Sequence, residues 1–136
     1  PTSIFVVKSF DTDRDYRLLL LVDDSEATKR AVRFGATIAA NQGMAVDTLT
    51  VSKTDHFGHG YSRAAKAAGR FLKSKGIPHE QHFLTGDPVG TFVEFAGETH
   101  LMVMGASSKS PLKKYFMGSK PIKTLEMATA PILIVK

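Results

Sequence analysis

Leu101-Met102-Val103-Met104-Gly105-Ala106-Ser107-Ser108, followed after eight further residues by Met117-Gly118-Ser119, decides how this chain is read. A hydrophobic run stops abruptly at Gly105, and a basic loop rich in glycine and serine follows. Gly118-Ser119 then opens a segment of helical character, Ser119 to Ala128, and Pro131 to Val135 reads as a closing strand. Strand, glycine, loop, Gly-Ser and helix together present bare backbone N–H groups to a phosphate. Glycine lets the backbone come close, and the first-turn amides of a helix have no internal partner.

Outward from that stretch, strands and helices alternate. Arg17 to Val22 is a short continuous apolar run, the pattern of a strand buried on both faces. Asp23-Asp24-Ser25 ends it, and Asp24 or Ser25 is expected to cap the helix that follows. Ala27, Ala31, Phe34, Ile38 and Ala39 recur at helical spacing up to a stop at Asn41-Gln42-Gly43. Met44 to Val51 is the next strand, 52–60 a polar loop, and Tyr61 to Lys75 a helix ended by Gly76. His79 to Leu84 is a third strand. Gly86-Asp87-Pro88 starts a helix with proline in its first turn and a buried stripe of Val89, Phe92, Val93 and Ala96. The alternation predicts an α/β fold, an open five-stranded parallel sheet with helices on both faces. Ligands of such sheets bind beyond the carboxyl ends of strands where the strand order reverses, and Asp23, Val51 and Gly105 all end strands.

The spacing in the last third resembles the nucleotide-binding signature of the universal stress proteins. In that family a glycine, two residues, a second glycine, nine residues, a third glycine and then serine or threonine follow one another. Gly105, twelve residues and then Gly118-Ser119 fit it, with Ser108 at the second glycine position as a departure. Leu18-Leu19-Leu20-Leu21-Val22-Asp23-Asp24-Ser25 is similar to the family's first strand. The resemblance spans residues 16–136 and implies a Rossmann-like, adenine-nucleotide-α-hydrolase-like domain that binds ATP, with or without Mg, and acts as a stress sensor or regulator. It implies a nucleotide crevice of Asp23, Val51, Met104, Gly105, Ser107, Ser108, Gly118 and Ser119. In it Asp23 meets the base and ribose, and Val51 offers its backbone to adenine. It also implies a homodimer through the last strand, whose residues Ile132-Leu133-Ile134-Val135 form an apolar edge in want of cover.

Composition sets the limits. The 136 residues suit one domain, large enough to bury roughly two-thirds of its unfolded surface. No apolar stretch approaches the ~20 residues that span a bilayer, and residues 1–10 lack the pattern of a signal peptide. The absence of cysteine excludes disulfides and thiolate metal sites and suits a cytoplasmic protein. A net charge of +5 and a pI near 9.6 favour anions in general. Lys109, Lys113 and Lys114 lie on the candidate phosphate loop, and no long basic arm for duplex nucleic acid is present. Pro1 to Lys8 reads like Ala130 to Lys136, since both are short apolar strands ending in Val-Lys. Residues 1–15 are therefore an N-terminal extension with an extra edge strand, or the end of a preceding related domain.

Other chemistries find little footing. His56, His59, His79, His82 and His100 show no metal-ligand spacing, and His79 and His82, three apart on a strand, point to opposite faces. A Gly-x-Ser-x-Gly elbow and a P-loop are both missing from the sequence. Without a general base or a metal-binding carboxylate beyond the aspartate pair, the chain reads as a binding protein, with at most slow ATP hydrolysis or autophosphorylation. Ser108 costs of order 1 kcal/mol if its position requires positive φ. It motivates the alternative of a dimeric interaction module without nucleotide. The repeat of Pro1 to Lys8 motivates a third reading, the regulatory domain of a tandem stress protein or a transporter.

Overall fold

The computed structural model describes residues 4–6, 13–105 and 129–135. The elements run in the order β1 (Ile4–Val6), β2 (Arg17–Leu21), α1 (Glu26–Gln42), β3 (Val46–Ser52), α2 (His59–Ser74), β4 (His79–Thr85), α3 (Pro88–Ala96), β5 (His100–Gly105) and β6 (Ile132–Val135). The boundaries differ from the sequence reading by one or two residues, the ordinary fraying of element ends. The segments Ser107, Ser108 and Gly118 to Ala128, including the expected fourth helix, lie outside the described residues.

The sheet has the order β1-β6-β5-β2-β3-β4. β2 to β6 are mutually parallel, as predicted, and β1 joins antiparallel. From β2 the chain moves through α1 to β3 and through α2 to β4. It then returns across the sheet through α3 to β5 and continues outward to β6. The direction of winding reverses between the neighbours β2 and β5.

The leucine run of β2 explains why the sheet is covered on both sides. Side chains alternate along a strand. Leu19 and Leu21 join Leu49, Val51, Met102 and Met104 beneath Phe92 of α3. Leu18, Leu20 and Val22 join Leu101, Val103, Ala31 and Leu72 on the face covered by α1 and α2. Gly43 ends α1 at φ 65°, and its N–H donates to the Ala39 carbonyl, which satisfies one of the orphan acceptors of the last turn.

One expectation is corrected at the sheet's margin. Ile132–Val135 is not an open edge, because Ile4–Val6 pairs along it with Ile4 opposite Val135 and Val6 opposite Leu133. The chain covers its own last strand. Among the described residues the longer open margin is β4, seven residues paired on one side only, where Phe83 and Leu84 are 47% and 39% exposed. The Phe57 ring packs edge-on against Phe83.

Candidate functional site

The reversal of winding between β2 and β5 brings the two strand ends together. Gly105 closes β5, and α1 begins after the four residues that follow β2. They are in close contact: a Cβ at Gly105 would lie 2.3 Å from the Ala27 carbonyl oxygen and 2.4 Å from its carbonyl carbon. Both are backbone atoms of the first turn of α1, so neither can swing aside. Only glycine lets β5 end against that turn.

Asp23 sits between β2 and α1 and is 6% exposed. Its Oδ1 accepts from the Ser25 N–H at 2.8 Å and from the hydroxyls of Ser25 and Thr28. Its own N–H donates to Thr28 Oγ1 at 3.1 Å. The expectation that Asp24 or Ser25 caps α1 is thereby corrected. Ser25 stands at the N-cap without a side-chain capping bond, and its hydroxyl is turned back to Asp23. A carboxylate at this helix start also faces the positive end of the helix dipole. Among the described residues no hydrogen bond falls on Oδ2 of Asp23.

The remaining predicted residues divide. Val51 and Met104 are the last residues but one of β3 and β5, with side chains buried in the α3-side core, so only their backbones could meet a ligand. Ser107, Ser108, Gly118 and Ser119 lie outside the described residues. A cavity of about 650 Å³ opens from Asp23 toward the groove between α1 and α2 rather than toward Val51 and Met104. Asp24 lines it beside Gly60, where a Cβ would come within 3.0 Å of Asp24 Oδ2. Burial, with the charges of Asp24 and Asp23, pushes the Tyr61 phenol up from its ordinary pKa, as expected of a phenol held beside two carboxylates.

The structure also assembles a polar cluster that the sequence reading missed. Asp47 is buried on the α3 face, in step with Leu49 and Val51. Its carboxylate accepts a fork from Arg17, Nε to Oδ2 at 2.8 Å and Nη2 to Oδ1 at 3.0 Å. His100 Nε2 lies 2.8 Å from Oδ2, and His82 Nε2 lies 3.1 Å from Oδ1. The Phe95 ring packs against both imidazoles. Burial would raise the Asp47 carboxyl, but the bonds from Arg17, His100 and His82 outweigh it and hold the group below the usual carboxylate range. The signal was in the sequence: an aspartate at alternate spacing with Leu49 and Val51 falls on their buried face and must find partners there. Which partners depended on parallel register, with Arg17 opposite His100 and Leu49 opposite His82.

Asp47, Glu80 and His82 lie close enough together to hold a cation. The oxygens of Asp47, however, already accept four N–H donors, which is the capacity of a carboxylate. Arg17 is itself the counter-charge. This cluster joins the amino-terminal halves of β2, β3 and β5 to β4, away from the strand ends that carry the predicted crevice.

The comparisons with known proteins agree with the fold. A family model described as the universal stress protein family matches residues 16–136. A universal stress protein of Methanocaldococcus jannaschii, MJ0531, is 31% identical over 75 residues. The match takes in 54% of this chain and 44% of that protein, so it spans less than half of the relative's length. The structure of a universal stress protein from Archaeoglobus fulgidus superimposes with a TM-score of 0.69 at 23% identity, covering 89% of this chain and 98% of that one. A universal stress protein solved in complex with cAMP gives 0.68 at 22% identity, covering 89% and 97%. The Archaeoglobus fulgidus protein in complex with dAMP gives 0.68 at 21%, covering 89% and 98%.

Proposed function

We propose that this chain, which belongs to the universal stress protein family, binds an adenine nucleotide, ATP with or without Mg, and acts as a regulator in a stress response. The observation that carries the reading is the close meeting of Gly105 with the first turn of α1 at the point where the winding reverses. Phosphate oxygens approaching the loop that leaves Gly105 would meet backbone N–H groups at this crevice. The Oδ2 of Asp23 is left to accept from a ribose hydroxyl while Oδ1 holds the start of α1. Ser107, Ser108, Gly118 and Ser119 supply amides and hydroxyls to the phosphates, and Val51 and Met104 supply backbone groups to the base. The solved relatives that hold cAMP and dAMP support an adenine ligand.

No catalytic group belongs to this proposal. We read the protein as a binder whose output is a change of partner, acting in the cytoplasm. Among the described residues no helix is long and apolar enough to cross a membrane. Residues 16–136 form the stress-protein domain, and residues 1–15 are an extension or the end of a preceding related domain. The antiparallel seat of Ile4–Val6 along β6 suits either origin. A homodimer through the last strand would have to displace that segment.

The test is calorimetric titration with ATP, AMP and cAMP, with and without magnesium, on the native sequence and Gly118→Val. Micromolar binding lost in Gly118→Val supports the reading. A folded protein that binds none of them at millimolar concentration refutes it and favours the interaction-module reading. The burial of Asp23, Val51 and Met104 supports that alternative.

A further inference from the structure

Among the described residues, positive charge is concentrated on helices α1 and α2. Helices α1 and α2 carry seven basic residues and one acidic residue, Glu26, a net of +6 against +5 for the whole chain. All other residues together are therefore net negative by one. The two helices lie side by side on the same face of the sheet, and the cavity of about 650 Å³ runs between them. Lys29 and Arg33 of α1 and Arg63 and Arg70 of α2 all line it.

Gathering these cations is unfavourable unless something offsets them. Lys29 is paired with Glu26 at 3.2 Å. Among the described residues, Arg33, Arg63 and Arg70 have no carboxylate within ion-pair distance. Asp24 also lines the cavity, with its Oδ2 beside Gly60. Three guanidinium groups around one cavity offer planar forks of N–H donors suited to phosphate. The volume falls within the ~300–1,000 Å³ of small-molecule sites. Between the cations the floor is apolar, with Val32 and Phe71 among its residues.

We infer that the α1–α2 groove is a second binding site, for a small molecule bearing two or more phosphate groups, separate from the crevice beyond β2 and β5. The guanidinium groups of Arg33, Arg63 and Arg70 hold the phosphates, and the apolar floor takes any organic body they are attached to. The inference does not depend on adenine recognition at the crevice, since of the crevice residues only Asp23 borders the groove.

The test is titration of the purified chain with inorganic tripolyphosphate and, separately, with ATP. Both run in the Gly118→Val background, chosen to disable the proposed crevice, with and without Arg33→Glu and Arg70→Glu. All three positions of charge lie on exposed helix surface, so the charge-reversal variants keep the fold, as matched circular dichroism and melting would establish. Binding in Gly118→Val that weakens about tenfold or more with the two reversals supports the site, by the size of charged hydrogen bonds. Tighter binding of ATP than of tripolyphosphate assigns an organic phosphate ester. Equal or tighter binding of tripolyphosphate assigns a bare phosphate chain. No binding in Gly118→Val, or binding indifferent to the reversals, overturns the inference. Failure of the crevice reading shows separately, as ATP affinity that Gly118→Val leaves unchanged.

Discussion

Replacing Asp47 by asparagine is expected to lower stability by about 2–4 kcal/mol. The substitution keeps the shape and one acceptor oxygen but removes the charge and turns an NH2 group toward N–H donors. Four donor contacts converge there now, two from Arg17 and one each from His82 and His100. Arg17 is 45% exposed and can recover water, and His82 recovers part of it, whereas His100 at 9% cannot. One buried donor left unmet costs about 1–3 kcal/mol, and loss of the charge-assisted bonds adds to it. For a domain of this size each kcal/mol shifts Tm by about 3–4 °C, so Asp47→Asn should melt about 6–16 °C lower at pH 7. Because the native carboxyl is held below its ordinary value, its contribution is complete above about pH 4 and is lost as pH falls through the folded value. The gap between the two proteins should thus be narrower at pH 3 than at pH 5. Scanning calorimetry across that range measures it. A variant that melts within 2 °C of the native protein, by the same ~3–4 °C scale, refutes the reasoning, as does a gap that does not narrow in acid.

Three further outcomes follow from other parts of the fold. Gly105→Ala puts a methyl 2.3 Å from the Ala27 carbonyl, so β5 and α1 must part by about 1 Å; a loss of about 2–3 kcal/mol in denaturant melts is expected, together with weaker nucleotide binding by titration. Thr50→Val removes a buried hydroxyl that has no partner among the described residues and keeps the shape; chemical denaturation should show it about 1 kcal/mol more stable. Removing residues 1–8 uncovers β6, and analytical ultracentrifugation should find more dimer than in the full chain at the same concentration.

The fold was legible because its strongest signals were local. The leucine run 18–21 could only be a strand covered on both faces, and the glycine stops and Asp87-Pro88 bounded the helices where the structure has them. Asp87 does cap α3, accepting from the Gly90 N–H at 2.9 Å. What the sequence did not disclose was long-range pairing. That Ile4–Val6 lies along β6 depends on contacts across almost the whole chain. The Asp47 cluster depends on four strands coming into register, and the basic groove on two helices 17 residues apart settling side by side. At the site itself, Asp23 and Gly105 were picked out for a ligand, and each also has a structural duty at the start of α1. A residue type in a pattern does not separate those duties, because capping and ribose binding draw on the same carboxylate.

The most direct measurement is the change in backbone amide resonances of the isotopically labelled chain as ATP is added. The account predicts shifts at Asp23, Val51 and Gly105 and through residues 107–119, with slow or intermediate exchange. Shifts confined to α1 and α2 would move the nucleotide to the groove, and an unchanged spectrum at millimolar ATP would contradict nucleotide binding altogether.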